Sequence, residues 1–224
     1  MPRKYPEKVT ASMTRFTDGK DILLLRHSTA IQLGSSNEHL GMVIMTNPGK
    51  FEFNKSPGWH EFKMGAGTSE TFVADDFPDL SMQNVIEVIR RGHETAGLSE
   101  PSGIIRIYNL SNVRQPDGKQ AEAYHKQALK IVPSDRLHLL EDPVTHSRER
   151  FLRECIKSRF VIMGFVDGKF ADKMQQILDW SEDQIQRRVY AVDDRGRCSH
   201  PRRWRTEKEL KNRAIESIKN VLLR

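Results

Sequence analysis

The sequence predicts an α/β protein built on a largely parallel sheet covered on both faces. Three observations carry that expectation: short apolar runs, amphipathic helical segments alternating with them, and polar punctuation at the ends of the runs. Met42-Val43-Ile44-Met45 reads as a short buried strand that Thr46-Asn47-Pro48-Gly49 ends abruptly. Proline removes a backbone donor and fixes its φ, and glycine admits conformations closed to other residues. In open α/β sheets the carboxyl ends of the strands form the ligand-binding edge. An isolated Asn-Pro-Gly is ordinarily only a turn, so its meaning depends on the residues downstream of it.

Residues 1–20 are polar and basic and read as a loose arm, leaving 21–224 as one domain with a full core. Within Asp21–His27, Ile22-Leu23-Leu24-Leu25 is a strand. Residues 50–78 show no sustained period and carry Phe51, Phe53, Trp59, Phe62, Phe72 and Phe77, which reads as a long, ordered loop. Met82, Val85, Ile86 and Ile89 then fall at i, i+3, i+4 and i+7 of a helix that Gly97 terminates. Gly103–Tyr108 forms a strand ending at Asn109. Helices near 121–130 and 148–157 flank a loop with Pro133 and Pro143.

Phe160–Gly164 is a third buried strand. The next helix places Phe170, Met174, Ile177 and Leu178 on one face. Arg188–Val192 is a short last strand, opening a loop with Ser199-His200-Pro201. Thr206-Glu207-Lys208-Glu209 fits a capping box for a final helix with Leu210, Ala214, Ile218 and Val221 on one face.

The net charge of +6, with charged residues at 29% of the chain, favours a polyanionic partner. Cys155 and Cys198 are the two cysteines, too few for a four-thiolate metal site or a disulfide scaffold, and no metal or other cofactor is expected. No run of about 18 apolar residues is present and no signal-type segment comes after the basic N-terminus, so no membrane association is expected. A reduced, cytoplasmic monomer is the default.

Asn47, Asn109 and His200 each punctuate a strand end, and in a parallel sheet such ends share one edge. Any one of them has an ordinary explanation: Asn109 fits a turn cap and His200 a plain loop histidine. In order, these motifs resemble the uracil-DNA glycosylase superfamily. Met42–Gly49 is similar to its first motif, in the Asn-Pro-Gly form of mismatch-specific members. Asp79–Arg90 resembles the helix after the first loop, and Ile104–Val113 the strand whose terminal asparagine reads the flipped base. Phe160–Ala171 resembles the strand, glycine and helix preceding the second motif, and Ser199-His200-Pro201 the His-Pro that starts it. The layout is also similar to a bacterial and phage family with an Asn-Pro-Ser first motif and a late His-Pro. Coverage is roughly residues 40 to 205.

The resemblance implies a three-layer α/β/α sandwich and a DNA glycosylase that leaves an abasic site. His200 would donate to a pyrimidine O2, Asn47 would hold the attacking water, and Asn109 would pair with the base edge. Phe51, Trp59 or Phe72 would stack on the extruded base, although such aromatics more often belong to a core.

Two departures narrow the expectation. Gly49 stands where uracil-specific members carry a blocking tyrosine, which leaves the C5 side open. A C5-modified pyrimidine is expected, such as the hydroxymethyl or glucosylated cytosines of phage DNA, which points to antiviral defence. Arg202-Arg203-Trp204 replaces a small-residue clamp and apolar wedge, so Arg197, Arg202, Arg203 and Arg205, with Lys50, are expected to contact DNA phosphates. Lys50 also raises a Schiff-base lyase chemistry. The alternatives are a non-catalytic nucleic-acid- or nucleotide-binding protein on the same fold, a uracil or thymine-mismatch repair glycosylase, and hydrolysis of a free nucleoside or nucleotide.

Overall fold

The computed structural model describes residues 4–19 and 21–224. Its strands are β1 (Lys8–Asp18), β2 (Asp21–Leu33), β3 (His39–Met45), β4 (Thr71–Asp76), β5 (Gly103–Asn109), β6 (Phe160–Gly164) and β7 (Arg188–Val189). Its helices are α1 (Trp59–Lys63), α2 (Leu80–Thr95), α3 (Ala121–Ile131), α4 (Pro143–His146), α5 (Arg148–Lys157), α6 (Ala171–Trp180) and α7 (Lys208–Leu222), with 3-10 turns between several of them. Among the described residues no helix is long and apolar enough to cross a membrane.

The seven strands form one sheet in the order β4-β1-β2-β5-β3-β6-β7. The sheet is mixed rather than mostly parallel. β4–β1, β1–β2 and β2–β5 pair antiparallel, whereas β5–β3, β3–β6 and β6–β7 pair parallel. The expectation failed at the antiparallel half. From Lys8 to Asp18 the stretch read as a loose arm is β1, with Val9, Ala11 and Met13 buried in alternation; Met1–Arg3 and Lys20 of that stretch lie outside the described residues. β1 shifts register between Thr10 and Ser12, and beyond it Thr14 and Arg15 are buried polar residues. Such a pattern reads as polar although it lies in a sheet. Within the stretch read as a long loop, Trp59–Lys63 is helical and Thr71–Asp76 is the edge strand β4.

β3 explains why the parallel half is strongly specified. It is flanked by a strand on each side and buried on both faces, so its residues are apolar without a break from Met42 to Met45. Val43 and Met45 face a cluster with Ile105, Ile107, Met82, Val85, Ile89 and Ile215. Met42 and Ile44 face the opposite cluster with Val161, Met163, Phe151, Cys155 and Ile177. Helices α2 and α7 cover the first face, and residues of α3, α5 and α6 lie in the second cluster. The expected face of α6 is present: Phe170 and Ile177 are buried, with Met174 and Leu178 packed beside them.

Asp79 caps α2 by accepting from the Ser81 and Met82 amides at 3.0 Å each, and Gly97, at φ 69°, comes just after its C-cap. The capping box expected at Thr206–Glu209 does not form. Thr206 closes the 3-10 turn Pro201–Arg205, and Glu207 precedes α7 without a side-chain cap bond.

Beyond their last ladder residues the central strands stay together. The amides of Leu110 and Ser111 donate to the Met45 and Thr46 carbonyls, and that of Val166 donates to Thr46 Oγ1 at 2.8 Å. The segment carrying His200 is brought to this edge by close packing. An added Cβ on Gly164 would lie 2.3 Å from Pro201 Cδ, so only glycine at the end of β6 lets Pro201 in. Asn84 of α2 donates to the Pro201 carbonyl at 3.0 Å, and buried Trp204 donates to Ser199 Oγ at 2.8 Å. Gly164→Ala is therefore expected to destabilise the fold by about 1–3 kcal/mol, read as a lower urea midpoint, and to disorder His200 in the folded fraction. An unchanged midpoint would show that Pro201 is not held against β6.

Candidate functional site

A cavity of about 1160 Å³ opens at the carboxyl ends of β3 and β6. Asn47, Gly49 and Lys50 line it from the segment after β3, and Phe165, Val166 and Asp167 from the segment after β6. Gln115–Lys119 and the start of α2 (Asp79–Ser81) close two sides. His200, Arg202, Arg203, Arg205 and Thr206 come from the loop beyond β7, and Arg26 enters from β2.

Asn47 is fixed by its neighbours. Its Nδ2 donates to the carbonyls of Pro48 (3.0 Å) and Gln115 (2.8 Å), which leaves Oδ1 for the cavity. The abrupt stop at Asn-Pro-Gly makes this possible, because it turns the Pro48 carbonyl back towards the side chain of the residue before it.

His200 is also fixed in tautomer. It precedes the 3-10 turn Pro201–Arg205, and its Nδ1 accepts the Arg202 backbone N–H at 3.2 Å. An accepting Nδ1 carries no proton, so in the neutral ring Nε2 does. Burial pushes the imidazole pKa down to about 4, against an opposing pull from Asp79. At neutral pH the cavity therefore holds an uncharged imidazole with one donor.

The cations of the site fall into two groups. Lys50, Arg202 and Arg205 are exposed and make no ion pair among the described residues. Arg203 is committed to Glu207, at 2.7 and 2.8 Å, and to Asp193. Arg197 does not line the cavity; it is held by Asp193 at 2.9 Å and by Asp167.

The base-reading and stacking assignments fare differently. Phe51 and Trp59 are buried in the core, in an edge-to-face block with Phe53, and Phe72 packs against that block. None of the three lines the cavity. Their density in the sequence marks a core and not a platform. The aromatic that does line it is Phe165, next after the glycine that ends β6.

Asn109 pairs with Met45 in the β5–β3 ladder but does not line the cavity. It is 1% exposed, its amide nitrogen and oxygen have no partner among the described residues, and its backbone carbonyl accepts from Thr145 Oγ1 at 2.8 Å.

No family model, no curated protein and no solved structure matches the chain.

Three further residues belong to the site on geometry alone. Arg26 is 1% exposed and stacks over Phe51 at 5.6 Å. Burial pushes its pKa down to about 10, opposed by Asp79. Asp79 lines the cavity, and its Oδ2 lies 3.4 Å from where a Cβ on Gly49 would sit. Phe165 completes the set. Arg26 had a signal in the sequence, since a lone arginine directly after Ile22–Leu25 is out of place in a buried strand.

His200 is expected to titrate near pH 4 with its proton on Nε2 throughout pH 5–8, read from the ¹⁵N shifts of its ring. A depressed histidine pKa leaves the unfolded chain binding a proton that the fold does not, so stability should fall as pH drops from about 6.5 towards 4. A ring titrating near 6.5 would contradict this placement.

Proposed function

We propose that the chain is a monofunctional DNA glycosylase, a monomer acting in the cytoplasm, that hydrolyses the N-glycosidic bond of a flipped pyrimidine carrying a C5 substituent. The observation that carries this reading is the convergence of Asn47 and His200, far apart in sequence, on one cavity with both side chains held in fixed orientation. Helices against both faces of the sheet fit the three-layer sandwich of the uracil-DNA glycosylase superfamily, which supports the reading, as does the order of the motifs. The antiparallel strands β1 and β4 are an addition that the motif order did not anticipate.

The chemistry rests on the residue types. Breaking the bond between base and sugar leaves positive charge on the sugar and negative charge on the base. A neutral histidine with its donor in the cavity meets charge developing on a pyrimidine oxygen and avoids the cost of burying an imidazolium. Asn47 Oδ1 accepts a hydrogen bond from the attacking water and aims its oxygen at the sugar, and the proton that the water gives up passes to the base anion as it leaves. At Gly49 the wall is open, and a side chain there would fill space beside Asp79. A hydroxymethyl or glucosylated cytosine, the phage-DNA substrate of a defence enzyme, fits that opening. Lys50, Arg202 and Arg205 at the rim suit the phosphates of a polymer, in preference to a free nucleoside.

Oligonucleotides carrying uracil, a thymine mismatch or a C5-modified cytosine, treated with the protein and then with alkali, test the reading. Strand breaks are expected at the C5-modified site. Asn47→Ala and His200→Ala are each expected to slow them by about 10²-fold or more while DNA binding persists. Breaks at none of these sites, with DNA still bound, would leave a non-catalytic binding protein. A strong preference for plain uracil would make it a repair enzyme.

Loss of Lys50, Arg202 or Arg205 should each weaken DNA binding and lower the slope of log K against log salt by about 1. An unchanged slope would remove these side chains from the DNA interface.

A further inference from the structure

Arg26 differs from the other buried arginines. Arg15, also buried, donates to the carbonyls of Phe62, Ala66, Gly67 and Ser69 at 2.7–3.1 Å. Arg188 donates to Ser181 Oγ and to Glu182, both at 2.9 Å. The Arg26 guanidinium makes no hydrogen bond among the described residues. Its Nε and Nη1 are buried without a partner, and its ring neighbour is Phe51. It forms no ion pair with Asp79, although the two line the same cavity. A buried cation left this way is costly, and nothing in the described fold uses its donors. An incoming ligand would.

We infer that Arg26 and Asp79 together read the Watson–Crick edge of a cytosine-type base, Arg26 donating to N3 and O2 and Asp79 Oδ2 accepting from the exocyclic amino group. This rests on the base-flipping reading above and assigns residues to the cytosine edge, which that reading leaves without a partner. A planar guanidinium presents adjacent donors in a rigid fork, and cytosine presents adjacent acceptors at N3 and O2. Uracil and thymine place an N–H donor at N3 and an oxygen at C4, which would oppose Arg26 and Asp79 respectively.

Asp79 is oriented for the task. Its Oδ1 is engaged by the Ser81 and Met82 amides, and Oδ2 lies beside Gly49. C4, which bears the amino group, and C5, which would bear the substituent, are neighbours on the ring. The group that reads the first thus lies next to the residue that makes room for the second. Arg26 also supplies a positive charge, which neutral His200 does not, for the base as it departs with its electron pair on the O2–N3 side. The role given to Asn109, which does not line the cavity, passes to this pair.

Two measurements test the inference. The first compares excision from oligonucleotides carrying 5-hydroxymethylcytosine or 5-hydroxymethyluracil, which are alike at C5 and differ at the edge. The cytosine form should be favoured by about 10²-fold or more, because the wrong edge leaves buried polar groups opposed. Arg26→Met should lose about 10²-fold in kcat on it while its melting temperature holds or rises, since the replacement relieves an unpaired buried charge. Asp79→Asn keeps the helix cap and turns an amide N–H towards the cavity, so it should shift preference towards the uracil form. A fall in melting temperature with Arg26→Met, without a change in preference, would make Arg26 a structural residue.

The second tracks the Arg26 Nε–H resonance, identified by its loss in Arg26→Met, as free cytosine, uracil or inorganic phosphate is added. A shift with cytosine and none with uracil is expected. Equal shifts, a shift with phosphate only, or no shift with any of them would overturn the inference. The two readings fail separately. Cytosine binding at Arg26 without excision from any DNA would sink the glycosylase and leave the pair as a cytosine reader. Excision indifferent to the edge would do the reverse.

Discussion

The structure depends on the burial of β3 between two parallel neighbours and two apolar faces. A strand enclosed on four sides leaves the sheet only at its ends, and β3 leaves at Thr46-Asn47-Pro48-Gly49. Hydrogen bonds from Leu110 to the Met45 carbonyl, from Ser111 to the Thr46 carbonyl and from Val166 to Thr46 Oγ1 hold the adjacent strand ends level with it. Cavity walls built on such ends inherit the rigidity of the core, which a catalytic or reading constellation requires. The remaining wall comes from the far end of the chain, and it arrives because Gly164 has no side chain to keep Pro201 away.

Within the cavity the electrostatics divide by depth. At the rim, exposed lysine and arginine side chains have no carboxylate partners among the described residues and face solvent. Further in, Arg26 is buried without a hydrogen bond, and half-buried His200 and Asp79 stand beside it, the first held neutral and the second engaged through one oxygen by a helix N-terminus. Rim charges of this kind serve a polyanion irrespective of sequence, and unsatisfied groups beneath them serve a particular functional group.

Much of this was legible in the sequence where periodicity and burial agree. The β3, β5 and β6 runs, the α2 and α5 helices, and the meeting of Asn47 with His200 were readable from apolar runs and their punctuation. The parts that stayed hidden had physical causes. β1 carries a register shift and buried polar residues, so its alternation is broken, and β4 lies at the sheet edge with its residues half exposed. The aromatics from Phe51 to Phe72 pack on one another, a contact that their density along the chain does not distinguish from a stacking platform. Asn109 does end its strand, yet it is buried, and Thr145 of α4 bonds to its carbonyl. The unused donors of Arg26 were invisible because only tertiary structure shows which partners a buried guanidinium lacks.

For the proposed chemistry to occur, a nucleobase must leave the duplex and enter this cavity. Placing 2-aminopurine beside a C5-modified cytosine in duplex DNA measures that step directly, because its fluorescence rises when the neighbouring base unstacks. Binding of the wild-type protein is predicted to raise the emission at that position and not beside an unmodified guanine in the same duplex. Saturated binding with no change in emission at either position would contradict the account.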